Sequence, residues 1–176
     1  MPGHGHSHSC AGGCDHDDVF EIATDFVLHT KITVAGFECL GEEDDGSGIK
    51  VFKNYDERTN KSDFVNSDCD PELLFNIPFD GNVKLKSMIV IGGEDDFHPI
   101  SVKLFKNKPS MTFDDVTKDA EQEIVLAPDP NGEIQYPVKT AKFNNVYHLS
   151  MYFPQSTGGD QTKVRITFLY YFIIFI

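Results

Sequence analysis

The sequence predicts an all-β protein, a jelly-roll-like β-sandwich, and three observations predict it. Short apolar runs recur at roughly ten-residue intervals, turn residues separate them, and several runs alternate with the period of two that a half-buried strand requires. Residues 32–40 are readable as a short helix or an irregular strand. Asp70-Pro71-Glu72-Leu73 predicts a single helical turn, with Asp70 as N-cap and Pro71 at the first position. Val83 and Leu85 alternate with Lys84 and Lys86 ahead of Met88-Ile89-Val90-Ile91, a run suited to burial on both faces. Ile100, Val102 and Leu104 then face one side of a strand, and Ser101, Lys103 and Phe105 the other. Residues 124–126 and 134–138 are two shorter strands. In 146–153, Tyr147, Leu149, Met151 and Phe153 share a face, and Val164, Ile166 and Phe168 form the last strand. The connectors carry turn chemistry: Asp80-Gly81-Asn82, Gly92-Gly93-Glu94-Asp95, Asn107-Lys108-Pro109, Asp129-Pro130-Asn131-Gly132 and 156–160.

Composition divides the chain into three zones. Residues 1–18, MPGHGHSHSCAGGCDHDD, hold too little apolar surface to fold and predict a disordered tail. Residues 19–168 are the body, and 169–176 an apolar tail of unusual composition. Over 164–176, 11 of 13 residues are apolar, a stretch shorter than the roughly 20 residues that cross a bilayer. The expected arrangement docks its first half as a strand and leaves 169–176 unpaired and prone to aggregate.

The formal charge of −13, from 15 Lys+Arg against 28 Asp+Glu, argues against a nucleic-acid partner and against anionic membranes. Residues 1–18 have no apolar stretch of the secretory type, and no basic residue precedes Lys31, so the expected location is cytoplasmic and nuclear. There, Cys39 and Cys69 are expected as reduced, partly buried thiols, and the protein as a monomer without cofactors.

Chemistry-bearing patterns are few. His4, His6, His8, Cys10 and Cys14 supply the imidazole and thiol ligands that soft divalent metals prefer, with no second pair on a folded element to make a structural zinc site. Glu94-Asp95-Asp96 with His98, and 42–45, lack the register of a calcium loop and read as solvated turns. No nucleophile elbow, P-loop, zincin or dinucleotide motif is present, so the reading is non-enzymatic. Surface recognition remains. Asn76, Asp80, Asn82 and Asn107 are candidate rim groups, with Lys84, Lys86, Lys103 and Lys106 a basic stripe that can steer an acidic partner.

Several ordered segments carry a resemblance: Val51-Phe52-Lys53, then 66–79 (NSDCDPELLFNIPF), Gly81-Asn82-Val83-Lys84-Leu85-Lys86, Val102-Lys103-Leu104-Phe105-Lys106-Asn107 and Phe143-Asn144-Asn145-Val146-Tyr147-His148-Leu149. The chain resembles the PITH domain family across residues 37–163, and its His/Gly/Ser-rich tail resembles the stand-alone PITH domain-containing proteins. The resemblance implies a galactose-binding-like jelly roll similar to that of an anaphase-promoting-complex subunit. It implies no catalysis, and for the partner it implies the regulatory particle of the 26S proteasome. The alternative is a small-ligand or carbohydrate-binding sandwich. Cys39-Leu40-Gly41-Glu42 departs from the family's Cys-Leu-Asn-Glu, and after Val164 a Gly-Leu-Arg-Gly-like stretch gives way to Arg165-Ile166-Thr167-Phe168. That departure leads one to expect an incomplete sandwich, with a neighbouring strand left unpaired.

Overall fold

The computed structural model describes residues 28–172, where the strands named below pair antiparallel and helix is confined to 3₁₀ turns of three or four residues. The strands are β1 (Glu38–Leu40), β2 (Val65–Asn66), β3 (Leu73–Gly92), β4 (Ser101–Lys106), β5 (Gln122–Val125), β6 (Tyr136–Pro137), β7 (Val146–Phe153) and β8 (Lys163–Phe172). The expected all-β sandwich is therefore found. Two local readings are corrected. Residues 70–71 form a bend and not a helical turn, and 32–40 resolve into a 3₁₀ turn at Val34–Gly36 followed by β1.

One strand builds both layers. β3 runs 20 residues straight through Asp80-Gly81-Asn82, which the sequence marks as a turn between strands. Its first half pairs with β7 and β1, its second half with β8 and β6, and the register shifts between Pro78 and Val83. The layers are thus β1-β3-β7-β4-β5 and β6-β3-β8-β2, joined by a strand that changes sheet at a bend. Phe79 and Val83 are buried while Asp80 and Asn82 are exposed, so the bend falls where the chain offers the core no side chain.

Between the layers lies the main core. Leu73, Phe75, Ile77 and Phe79 alternate along the first half of β3, share its core face with Leu149, Met151 and Phe153 of β7 and Val102 and Leu104 of β4, and belong to one core with Leu85, Met88 and Val90 of the second half. Phe75 meets Phe37, Phe52 and Phe153 edge-on, at centroid distances of 6.4, 5.8 and 5.7 Å. Each layer is also covered outside. Leu74, Phe105 and Tyr152 pack against Met111 and Val116, and Ile89, Ile91, Phe168 and Tyr170 against Tyr55. Burial on both faces is why Met88-Ile89-Val90-Ile91 reads as an unbroken apolar run.

β8 departs from expectation twice. Gly92 pairs with Val164 but Ile91 with Ile166, leaving Arg165 as an extra residue. This bulge shifts the phase: Val164 belongs to the main core and Phe168 to the outer cluster, not to one shared face. The strand also crosses the boundary drawn at 168. Leu169 pairs with Met88, Tyr170 with Ser87, Tyr171 with Leu85 and Phe172 with Lys84. Leu169 is 2% exposed and lies in the main core. Residues 169–172 are thus part of the sandwich and not the unpaired tail expected for 169–176, of which 173–176 lie outside the described residues.

Candidate functional site

Because β3 folds over at its middle, its two ends arrive at the same end of the sandwich. Leu73 pairs there with Phe153 and Gly92 with Val164, which gathers the segments 67–72, 92–100, 126–134 and 154–162. The bend lies at the opposite end, beside the start of β7 and the end of β4.

Hydrogen bonds stitch the gathered loops together. The Asp96 carbonyl accepts from the Gly158 and Gly159 amides at 3.2 and 2.9 Å, and Thr157 N donates to the His98 carbonyl at 2.8 Å. Gln161 Nε2 donates to the carbonyls of Ser67 and Asp68 at 2.8 and 3.0 Å, and Thr162 N to Ser67 Oγ at 2.8 Å. Asp95 takes the left-handed conformation, φ 54°, to open this turn. The result is a cavity of about 540 Å³ edged by Asp68, Cys69, Asp95, Asp96, Phe97 and Asp160. Phe97 is 40% exposed, with Lys163 Nζ 5.8 Å from its ring. Cys69 is exposed rather than partly buried, whereas Cys39 is buried and its thiol is pushed up by that burial.

Adjoining it is a cavity of about 330 Å³ lined by His98, Arg165, Asp129, Glu94, Pro128 and Pro130 among others. Arg165 Nη1 donates to Glu94 Oε1 at 2.8 Å, and Lys61 Nζ to the same oxygen at 3.3 Å. These two cations hold the Glu94 carboxyl below its usual range, Arg165 most strongly. Asp129 is buried and takes the amides of Glu133 and Ile134 at 3.0 and 2.6 Å. His98 is 1% exposed and lies against Gly92, where any Cβ would collide with Nδ1.

Burial pushes the His98 imidazole down, and Asp129 and the Ala127 carbonyl only partly oppose it. The unfolded chain therefore binds a proton near pH 6.5 that the fold resists, and stability rises with pH across that interval. Melting temperature is expected to fall as pH drops from 6.5 to 5, before carboxylates titrate. A His98→Gln variant should show a flatter profile; an unchanged slope would place the effect elsewhere.

The residues singled out from sequence are not brought together. Asn76 is no rim group: it is 4% exposed, donates from Nδ2 to the Met111 carbonyl at 2.9 Å and accepts from Ser150 Oγ at 2.9 Å. It fastens the loop that covers the outer face of the first layer. Asn107 has φ 55° and caps the β4–β7 end, donating to the Asn145 carbonyl at 2.8 Å and accepting from Tyr147 N at 2.9 Å. Asp80 and Asn82 sit exposed at the bend, Asp80 within 3.5 Å of Lys31, at the end away from the cavities. The basic stripe is divided. Lys84 and Lys86 project from β3 in the second layer, while Lys103, 5.9 Å from the Tyr152 ring, and Lys106, which donates to the Lys142 carbonyl, belong to the first. His4, His6, His8, Cys10 and Cys14 lie outside the described residues, and among the described residues no His, Cys, Asp and Glu group is arranged to hold a metal. Among them, too, no helix is long and apolar enough to cross a membrane.

Residues 19–172 match the family model of the PITH domain. The chain belongs to the PITH domain family. A PITH domain-containing protein of Drosophila pseudoobscura pseudoobscura is 51% identical over 93% of the chain and 79% of its own length. PITH domain-containing protein 1 of Homo sapiens is 45% identical over 92% of the chain and 78% of its own length. Among solved structures, this PITH domain is similar to CBM32-3 of a family 31 glycoside hydrolase from Clostridium perfringens, with a TM-score of 0.57 and 14% identity over 86% and 99% of the two chains. The C-terminal domain of a chitobiase from Bacteroides fragilis gives 0.54 and 15% over 82% and 99%. At such identities the likeness is one of fold, a galactose-binding-like sandwich. The family match reaches residue 172, in agreement with a last strand that runs past 168.

Proposed function

We propose that this PITH domain is a non-catalytic adaptor, a monomer that binds a protein partner with its cavity end. The partner that the family resemblance suggests is the regulatory particle of the 26S proteasome, met in the cytoplasm and nucleus. One observation carries the reading: Asp68, Asp95, Asp96 and Asp160 surround a cavity beside the exposed ring of Phe97. A half-exposed aromatic within a field of carboxylates suits a basic segment with an apolar anchor, since aromatic anchors hold a complex while charge steers its formation. The acidic surface, not the divided lysines, is the contact on this reading.

Affinity purification with the full chain tests it. Wild type and Asp80→Lys, a change at the far end, should recover regulatory-particle subunits at near-physiological salt. An Asp96→Lys/Phe97→Ser variant should recover at least tenfold less. No recovery with wild type sinks the adaptor reading, and equal recovery with the double variant sinks the choice of surface.

A further inference from the structure

A third cavity, of about 440 Å³, opens on the outer face of the second layer, between residues 55–61 and the turn 130–133. Tyr55, Arg58, Thr59, Lys61, Asn131 and Glu133 line it. Its walls are fixed by packing and hydrogen bonds. Tyr55 lies on Phe168 with ring centroids 5.5 Å apart, and Asp129 holds the opposite turn through the amides of Glu133 and Ile134. Arg58 is one of two arginines in a chain of formal charge −13, yet it enters no ion pair among the described residues. Its guanidinium lies 4.4 Å from the Tyr55 ring centroid, and Nη1 donates to the Tyr55 carbonyl at 3.4 Å. These contacts orient the group but occupy one donor of a guanidinium that has several. Asp56 and Glu57 adjoin Arg58 in sequence and are not on the wall. Solvent reaches both cations, since Arg58 is half-buried and Lys61 exposed.

We infer that this cavity binds a carboxylate through the Arg58 guanidinium, whose planar fork matches the two carboxylate oxygens. A guanidinium already set on an aromatic ring loses little further freedom when it takes a ligand. Lys61 adds a second positive charge, which acts across several ångströms and needs no fixed contact. It also donates to Glu94, a carboxylate that Arg165 holds at 2.8 Å without it. Charge selects the ligand. Arg58 and Lys61 against Glu133 leave the lining one positive charge, which a single carboxylate cancels. A phosphate dianion overshoots that balance inside a strongly acidic chain, and a cation meets Arg58 and Lys61. The carboxylate can come from a small dicarboxylate or from an acidic side chain of a peptide; the chemistry at Arg58 is the same. The inference does not rest on the adaptor reading, which is tested by residues of the acidic cavity.

NMR of the full labelled chain at constant ionic strength tests it, following Arg58 Nε–H and the amides of Thr59, Lys61 and Asn131. The titrants are succinate, a blocked peptide rich in Asp and Glu, inorganic phosphate, and succinamide as the uncharged counterpart. Succinate or the peptide should shift these signals saturably at millimolar concentration, and the tighter of the two identifies the source. Arg58→Lys keeps the charge and loses the fork, and should weaken binding about tenfold, the worth of one charge-assisted hydrogen bond. Lys61→Met, at an exposed side chain, should weaken it about threefold, and Glu133→Gln should tighten it by a similar factor. These two variants keep the test readable if Arg58→Lys does not fold. Lys31→Met, at the bend, should bind within about twofold of wild type, which separates this cavity from the charge of the whole chain. The inference is overturned if neither carboxylate compound gives a saturable shift, or if Arg58→Lys binds as wild type does. Tighter binding of phosphate or succinamide than of either carboxylate compound overturns it too.

Discussion

A Leu169→Ala variant is expected to lose about 2–5 kcal/mol of stability, which for a domain of this size is a fall in melting temperature of roughly 5–20 °C. Leu169 pairs with Met88 of β3 and packs in the main core beside Leu85 and Val90. Truncating it removes apolar contact and leaves a cavity that two hydrogen-bonded sheets cannot close by shifting. A loose tail would behave otherwise, because an exposed leucine trimmed to alanine changes stability by a few tenths of a kcal/mol at most. Thermal unfolding followed by circular dichroism distinguishes the two, with Val125→Ala as an exposed control. A Leu169→Ala protein that melts with wild type would restore the domain boundary at 168 and detach the last turn of β8 from the fold.

Phe75→Ala should cost about 3–5 kcal/mol, against a total stability for ordinary domains of about 5–15 kcal/mol. The ring is the meeting point of three edge-to-face contacts, from Phe37 and Phe52 on the segment before β2 and from Phe153 on β7. The partners come from two distant parts of the chain, so the loss loosens both the packing of the segment before β2 and the β3–β7 pairing. Denaturant unfolding is the measurement, read as a lowered midpoint at unchanged slope. Phe75→Leu, closer in volume, should retain more of the stability and keep the comparison readable if the alanine variant does not fold. A Phe75→Ala loss below about 1 kcal/mol would show that the aromatic cluster is peripheral.

The strand content of the fold was legible because a half-buried strand writes its environment as alternation. Val102 and Leu104 opposite Lys103, and Leu149, Met151 and Phe153 along β7, face as their spacing predicts, whereas Tyr147, expected on the same face, is exposed and Val146 is in the core instead. The failures have definite causes. Asp80-Gly81-Asn82 has the composition of a hairpin turn, yet here it bends one strand from layer to layer, and composition alone does not tell a bend from a reversal. The bulge at Arg165, which sends Val164 and Phe168 to opposite faces of the last strand, adds a residue without leaving a mark in the pattern. For the site, the turns at 92–95 and 156–160 were visible as turns, but not that they meet. Asn76 reads as a surface amide because a buried, satisfied amide and an exposed one share the same letter.

From its residues alone this protein was determined to be a β-sandwich of the PITH family without a recognisable catalytic motif, since apolar period, turn chemistry and ordered family segments are properties of adjacent residues. Tertiary structure alone decided that both ends of β3 share one end of the sandwich. It thereby set Asp68, Asp95, Asp96 and Asp160 around one cavity and His98 opposite Arg165 in another. Asp160 lies 92 residues from Asp68 in sequence and Arg165 lies 67 from His98, and the folding of one long strand across two sheets brings them into reach.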